Sequence, residues 1–372
     1  MMQFAFELKK IIFSKKLLYI YLLLIAGVAL LFVRNVTFQS YIEKEETERI
    51  GILVQNSQNL NRMYSSTLEQ DPEDKDTQKL KVINSSMLEK LYDLRGMSID
   101  KWKNRATIEN AFLEQVLHFK EEGGAYDLPV GEINKMLAEN EKHLAENIKP
   151  RHATYSMALP NFLKLVVDLF MNFGAMIILV ILIGEILASE FETYSLNFLY
   201  TQPIKKGTII TSKFFSSVLV YFLTLLVLLG AAALVGLFGF KGKYKYPVMI
   251  ERNGEVDFIT IVQYMAQGLT VVSVTAIMVI ALLLVYSLLF KHTLSTVFAL
   301  LATMLAGYGL FAFIKWPSFF YWLNPFQYLL PEERLLVRNA GVDWYQGIPI
   351  ILLLTVILLL IARKKIETSR IS

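Results

Sequence analysis

Groups suited to covalent or metal chemistry are scarce in this chain. It has no cysteine, and its four histidines, His118, His143, His152 and His292, lie too far apart to follow the short spacings that gather metal ligands. No Gly-x-x-x-x-Gly-Lys-Ser/Thr phosphate loop occurs. The nearest stretch, 236–244, has the wrong spacing and lacks the hydroxyl that would meet magnesium. Nucleophile elbows, His-Glu-x-x-His pairs and paired carboxylates in an apolar setting are also missing. The expectation is therefore no catalytic, cofactor-binding or metal site, and no ATP hydrolysis by this chain.

The ionisable groups that stand out do so by their surroundings. Lys164 and Asp168 are four residues apart at the start of an apolar run, where they can pair on one helix face, and Glu185 lies near the run's other end. These three are the candidate intramembrane polar residues. Acids near the middle of the apolar runs, which coupling to protons or sodium ordinarily requires, are largely lacking, and this argues against an ion-driven transporter.

The elements that must hold these groups are membrane spans. Apolar residues make up 54% of the chain and charged ones 19%, more hydrophobic than water-soluble domains, and the apolar residues are clustered. Six runs, 17–33, 165–188, 214–240, 269–290, 294–313 and 347–361, approach or exceed the length that crosses about 30 Å of hydrocarbon. If the spans alternate, the basic groups at 9–16, at Lys205, Lys206 and Lys213, at Lys291-His292 and at 363–365 fall on one side. The positive-inside bias then makes both termini cytoplasmic. Lys241, Lys243 and Lys245 dilute that bias, and fusing 269–313 into one broken helix would give five spans and put the basic tail outside.

Residues 1–16 form a basic segment in which Phe4, Leu8 and Ile11 recur at helical spacing, either an interfacial helix or a plain basic flank. A cleaved signal peptide is disfavoured by the long apolar core of 17–33 and by Glu7 in the basic region. Residues 34–160 lack long apolar runs, carry more acidic than basic side chains, and show helical periodicity over 41–60, 76–94 and 108–122. Turn-like clusters at 70–74 and 123–129 separate these stretches. This reads as a mainly helical extracytoplasmic domain that either binds something or packs on itself as a cap. The net charge of +4 is too small to indicate nucleic acid.

After the second run comes Glu190-Phe191-Glu192-Thr193-Tyr194-Ser195-Leu196-Asn197-Phe198-Leu199-Tyr200-Thr201-Gln202-Pro203-Ile204-Lys205-Lys206, with Lys213 opening the third. This segment resembles the cytoplasmic loop between spans two and three of the ABC type-2 exporter permeases. Glu190 and Glu192 match the acidic positions, Ser195 the threonine, Leu196, Phe198 and Leu199 the apolar face, Thr201 the small residue, Pro203-Ile204 the turn and Lys213 the following lysine. Tyr194 departs by standing where the family has glycine, the residue that takes positive φ without steric cost. The segment Leu323-Asn324-Pro325-Phe326 is similar to re-entrant outer segments of the family.

The resemblance implies an all-α membrane protein with six transmembrane helices (161–372 holding the second to the sixth) and an ATPase-coupling loop at 189–213. Glu190, Glu192, Leu196, Phe198, Leu199, Pro203, Lys205 and Lys206 would contact the ATPase. It further implies a bacterial or archaeal plasma membrane, cytoplasmic ABC ATPase subunits that carry the ATP and magnesium, a second permease subunit, identical or homologous, and membrane lipid as partners. A short amphipathic helix can seat its apolar residues in a partner's groove while charges set register. A passive stop-transfer flank is the other reading of the loop. A non-transporting membrane sensor or scaffold is the other reading of the whole.

Overall fold

The computed structural model describes residues 2–196, 205–313, 322–338 and 343–368. The chain is mostly helical and divides into two compact units, one of Met1–Phe32 with Met157–Ser372 and the other of Val33–Ser156.

The chain opens with α1 (Met2–Ile12) and α2 (Lys15–Thr37). Ser14 separates them, its hydroxyl accepting from the Leu17 amide at 3.2 Å as a start signal for the second helix. With 23 residues, α2 is about 34 Å long. Leu18, Leu22, Leu23 and Leu30 are exposed along it, an arrangement stable only where lipid replaces water.

The Val33–Ser156 unit is built from α3 (Gln39–Gln70), α4 (Lys75–Gly96), α5 (Trp102–Glu121) and α6 (Val130–Glu146). The turn cluster at 70–74 ends α3, and Asp74 starts α4 by accepting from the amides of Asp76 and Thr77. Met87, Leu91, Phe112, Val116, Phe119 and Ile133 form the centre of its core. Gly124 lies against the Phe119 ring, where a Cβ would come within 2.4 Å. His143 is buried, its Nδ1 3.1 Å from the Ile148 carbonyl, and serves the C-terminus of α6.

Returning to the first unit, α7 (Leu159–Phe170) is followed by α8 (Phe173–Ile183) and α9 (Glu185–Glu192). Here the expected span at 165–188 is corrected. Asn172 accepts from the Ala175 amide as an N-cap, so the segment long and apolar enough to cross a membrane is Phe173–Glu192. Lys164 and Asp168 thus belong to the separate amphipathic helix α7 and not to the span. Next come α10 (Lys206–Gly236), α11 (Ile261–Phe290), α12 (Thr293–Phe313), a 3-10 turn at Pro325–Leu329, α13 (Pro331–Leu336) and α14 (Ile348–Thr368).

Among the described residues, five helical segments are long and apolar enough to cross a membrane: Lys15–Thr37, Phe173–Glu192, Lys206–Gly236, Ile261–Phe290 and Thr293–Leu310. The sixth apolar run lies in α14, where Arg363, Lys364 and Lys365 end the apolar stretch early. Lys291 takes a left-handed backbone (φ 55°) at the end of α11, so 269–313 is two helices with a real turn between them. Most central is α11, packed against α7, α8, α9, α10, α12 and α14. Lipid tails give apolar helix faces little reason to associate, so cross-helix polar contacts matter. Tyr21 meets Thr224 at 3.1 Å, Tyr221 meets Ser273 at 3.1 Å, and Tyr286 meets Thr303 at 2.7 Å.

The all-α expectation is also corrected. Strands β1 (Pro247–Arg252) and β2 (Glu255–Thr260) form an antiparallel hairpin, and the short β3 (Val337–Arg338) adds to β1 in parallel, giving the order β2-β1-β3. The turn is Asn253-Gly254, with φ of 54° and 86°, the mirror-image turn whose twist suits a two-residue hairpin. Asn-Gly between Val248, Ile250, Val256 and Phe258 is a strong hairpin signal that reading by helical periodicity passes over.

Candidate functional site

The acidic loop segment begins at α9. Glu190, near its end, is buried, and so is Lys213 two turns into α10. Lys213 Nζ donates to Glu190 Oε1 at 2.7 Å, to both carboxylate oxygens of Glu7 at 3.1 Å, and to the Ile186 carbonyl at 3.0 Å. Lys10 also donates to Glu190 Oε1, at 2.8 Å. An ammonium has three protons, and here all find acceptors on α1 and α9, so that Lys213 joins both helices to α10. Glu190 Oε2 is buried without a partner among the described residues.

A lysine wholly removed from solvent is tolerable only with opposite charge at hydrogen-bonding distance, because the desolvation cost of each ion is several kcal/mol. Two carboxylates and two ammonium groups balance here. The cluster is less a source of stability than a constraint: taking away one partner would leave a buried charge, at a cost of about 3–5 kcal/mol.

Glu192 faces the opposite way. It accepts from the Thr293 amide at 2.7 Å and the Thr293 hydroxyl at 3.1 Å, and lies 3.3 Å from His292. It therefore caps the N-terminus of α12 from another helix, where a negative charge also meets the helix dipole. Glu185 pairs with Lys16 at 2.9 Å in an exposed setting, a contact of small energetic consequence.

Beyond α9 the chain turns sharply. The Thr193 hydroxyl donates to the Ser189 carbonyl at 2.8 Å, and Tyr194 takes a left-handed backbone with φ 57°. A tyrosine thus adopts the conformation for which glycine is the natural occupant. Its ring is 75% exposed. Leu196, expected to face a partner, is instead buried in the core of this unit, so in this arrangement it anchors the loop to its own bundle. Lys205 is exposed just before α10, and Lys206 is the first residue of α10. Phe198, Leu199 and Pro203 lie outside the described residues.

The Lys164–Asp168 pair closes on itself. Lys164 Nζ donates to Asp168 Oδ2 at 2.7 Å and sits 4.5 Å from the centre of the Tyr264 ring, while the Tyr264 hydroxyl donates to Asp168 Oδ1 at 3.1 Å. Both carboxylate oxygens are engaged, which leaves Asp168 a helix-packing role and not that of an open ion ligand. Among the described residues no group of three His, Cys, Asp or Glu side chains could hold a metal.

Sequence reasoning missed Glu7 and Lys10. The signal was present: positions 4, 7, 8 and 11 make one helical stripe, and an acid among Phe4, Leu8 and Ile11 is out of place unless it meets a buried cation.

The Val33–Ser156 unit has a charge network of its own. Arg49 donates to both oxygens of Glu46 at 2.9 Å and to Glu109 at 2.6 Å, while Arg105 donates to Glu46 at 2.7 Å and to the carbonyls of Leu94 and Met97. Burial works against ionisation of Glu46, and Arg49 and Arg105 outweigh it, holding its carboxyl below the ordinary carboxylate range. The network borders a cavity of about 400 Å³ whose apolar wall includes Ile42, Trp102 and Met136.

Compared with protein families, residues 2–362 match the model described as ABC-2 family transporter protein. Permeases of that family are multi-pass membrane proteins without an ATPase domain of their own. No curated protein and no solved structure matches the chain.

Proposed function

Since the chain belongs to the ABC-2 family of transporter membrane proteins, we propose that it is the permease subunit of an ATP-driven exporter and that the loop 189–213 couples it to separate ATPase subunits. The observation that carries this reading is the buried cluster at the loop's two ends. Glu190 near the loop's start and Lys213 at its end are joined directly, so a push on the segment between them is delivered to α9 and α10 together. ATP can drive the permease only through a partner that binds one of its conformations more tightly than the other, which makes such a surface obligatory.

In this reading two permease subunits enclose the pathway and α14 supplies a sixth span, with both termini at the cytoplasmic face of a bacterial or archaeal plasma membrane. Residues 34–160 form an extracytoplasmic helical domain. Leu196 holds the loop to the bundle, whereas Phe198, Leu199, Pro203, Lys205 and Lys206 address the ATPase. ATP and magnesium belong to that partner.

The test is to isolate the gently solubilised protein from its native membrane, identify what co-purifies and assay the complex for ATP hydrolysis. Recovery of an ABC ATPase from the unmodified protein, and its loss with Leu199→Glu, is the expected result. An intact, folded permease that brings down no ATPase would overturn the proposal in favour of a membrane sensor or scaffold.

A further inference from the structure

We infer that Glu7 is a positioning residue that makes the amino-terminal helix α1 a moving part of the coupling device; this rests on the coupling reading of the loop. An apolar side chain would be the ordinary occupant of position 7, on the stripe shared with Phe4, Leu8 and Ile11. Instead a carboxylate stands there, 2% exposed, with both oxygens 3.1 Å from a lysine that is itself fully buried. One turn later, Lys10 reaches Glu190. Glu7 thus ties the helix to Lys213 at the end of the loop by a dry ion pair, while Lys10, its side chain 52% exposed, adds only a solvent-screened contact to Glu190 at the start.

The consequence is mechanical. Any displacement that separates the ends of α9 and α10 from α1 must pull an ion out of a buried, mutually compensated set, and a lone buried charge is strongly disfavoured. Movement of the loop ends therefore carries α1 with it. Glu190 Oε2, buried and unpartnered among the described residues, sharpens this. Glu190 holds both lysines through one oxygen, so neither ammonium has an alternative acceptor already in use on that carboxylate.

The chain has no native cysteine, which makes spin labelling direct. Phe6, Tyr194 and Leu353 are exposed at 61%, 75% and 61%, and cysteines placed there in pairs report three distances in the complex isolated from native membranes and reconstituted in nanodiscs. The Phe6→Cys/Tyr194→Cys pair should give one narrow distance distribution that Glu7→Gln broadens. ATP should shift both other pairs in the parent protein. In Glu7→Gln the Tyr194→Cys/Leu353→Cys shift should persist while the Phe6→Cys/Leu353→Cys shift is lost.

A Phe6 shift that survives Glu7→Gln, or the two shifts disappearing together as general damage would cause, overturns the inference. Should Glu7→Gln fail to purify, Glu7→Met/Lys213→Met removes the acid with its lysine, leaves Glu190 paired with Lys10, and must release α1 in the same way. A Tyr194 distance that ATP never moves in the parent would instead defeat the coupling reading, and the Phe6–Tyr194 distribution would still decide whether Glu7 makes the tie.

Discussion

Two charge networks in this molecule use similar chemistry under different solvation. Lys213, Glu7 and Glu190 have side chains 0%, 2% and 4% exposed, whereas Arg105, Glu109, Glu46 and Arg49 in the helical unit range from 12% to 38%. Water can relax around the second set when a partner is lost, and it reaches the first only at Lys10, 52% exposed. The first network is accordingly all-or-none, and the second is graded. That difference suits a tie that must hold while helices move and a frame that keeps α3, α4 and α5 in register.

The largest effect is expected from breaking the wet-versus-dry comparison at its dry end. Lys213→Met leaves Glu7 without a cation and Glu190 with Lys10 alone, and should destabilise the protein by about 3–5 kcal/mol, read as a fall in the melting temperature of the detergent-solubilised chain. Glu7→Met/Lys213→Met should recover most of that loss, because no uncompensated ion remains. If the single and double variants melt alike, charge burial is not what governs this site.

At the wetter end, Arg105→Met should cost roughly 1.5–3 kcal/mol, the range for hydrogen bonds made by a charged group. Trp102, which lines the neighbouring cavity, makes its fluorescence a suitable monitor of unfolding in the full chain. A loss as large as that of Lys213→Met would erase the distinction between the networks.

A smaller, pH-dependent effect sharpens the same comparison. Because Arg49 and Arg105 outweigh burial and hold Glu46 below its ordinary value, the unfolded state binds more protons at this position in the acid range. Its contribution is complete above the unfolded carboxylate value of about 4.3 and is lost as pH falls through the lower, folded value. Melting of the helical unit between pH 6 and pH 3 should therefore show an acid-side slope that Glu46→Gln flattens. An unchanged slope would place the acid sensitivity elsewhere.

The smallest effect concerns the exposed turn that follows α9. Tyr194, exposed at φ 57°, should accept glycine with a gain of about 1 kcal/mol or less, since the left-handed backbone costs an L-residue roughly 1–2 kcal/mol and glycine returns part of that as unfolded-state entropy. Thermal shift of Tyr194→Gly measures it. Destabilisation would mean that the tyrosine ring makes a contact worth more than the strain.

Much of the molecule was legible in the residues alone, because some constraints are local. Apolar run length sets where a helix can meet lipid, which is why α2, α10, α11 and α12 appear where the sequence places apolar runs. Turn chemistry marked 70–74, and the break at Lys291 was read from the side on which basic residues fall. The departure at Tyr194 was visible as a mismatch of residue type, and the structure gives it the positive φ that the mismatch brought into question. Two local signals were overridden by stronger periodicity: Asn172, an N-cap that moves Lys164 and Asp168 out of the span, and Asn253-Gly254, which builds a hairpin in a chain otherwise read as helix.

What the sequence by itself determined, then, was composition, where the apolar runs lie, the absence of a phosphate loop and the order of the loop motif, all properties of neighbouring residues. Only the tertiary structure decided that Glu7, Glu190 and Lys213 share one dry site, that Glu192 caps α12, and that Leu196 turns inward. Residues 206 positions apart can be joined by a buried ion pair, and nothing in local spacing encodes such a meeting. It depends on which helix faces pack together, and a charge whose water has been removed is paired by whatever that packing brings within reach.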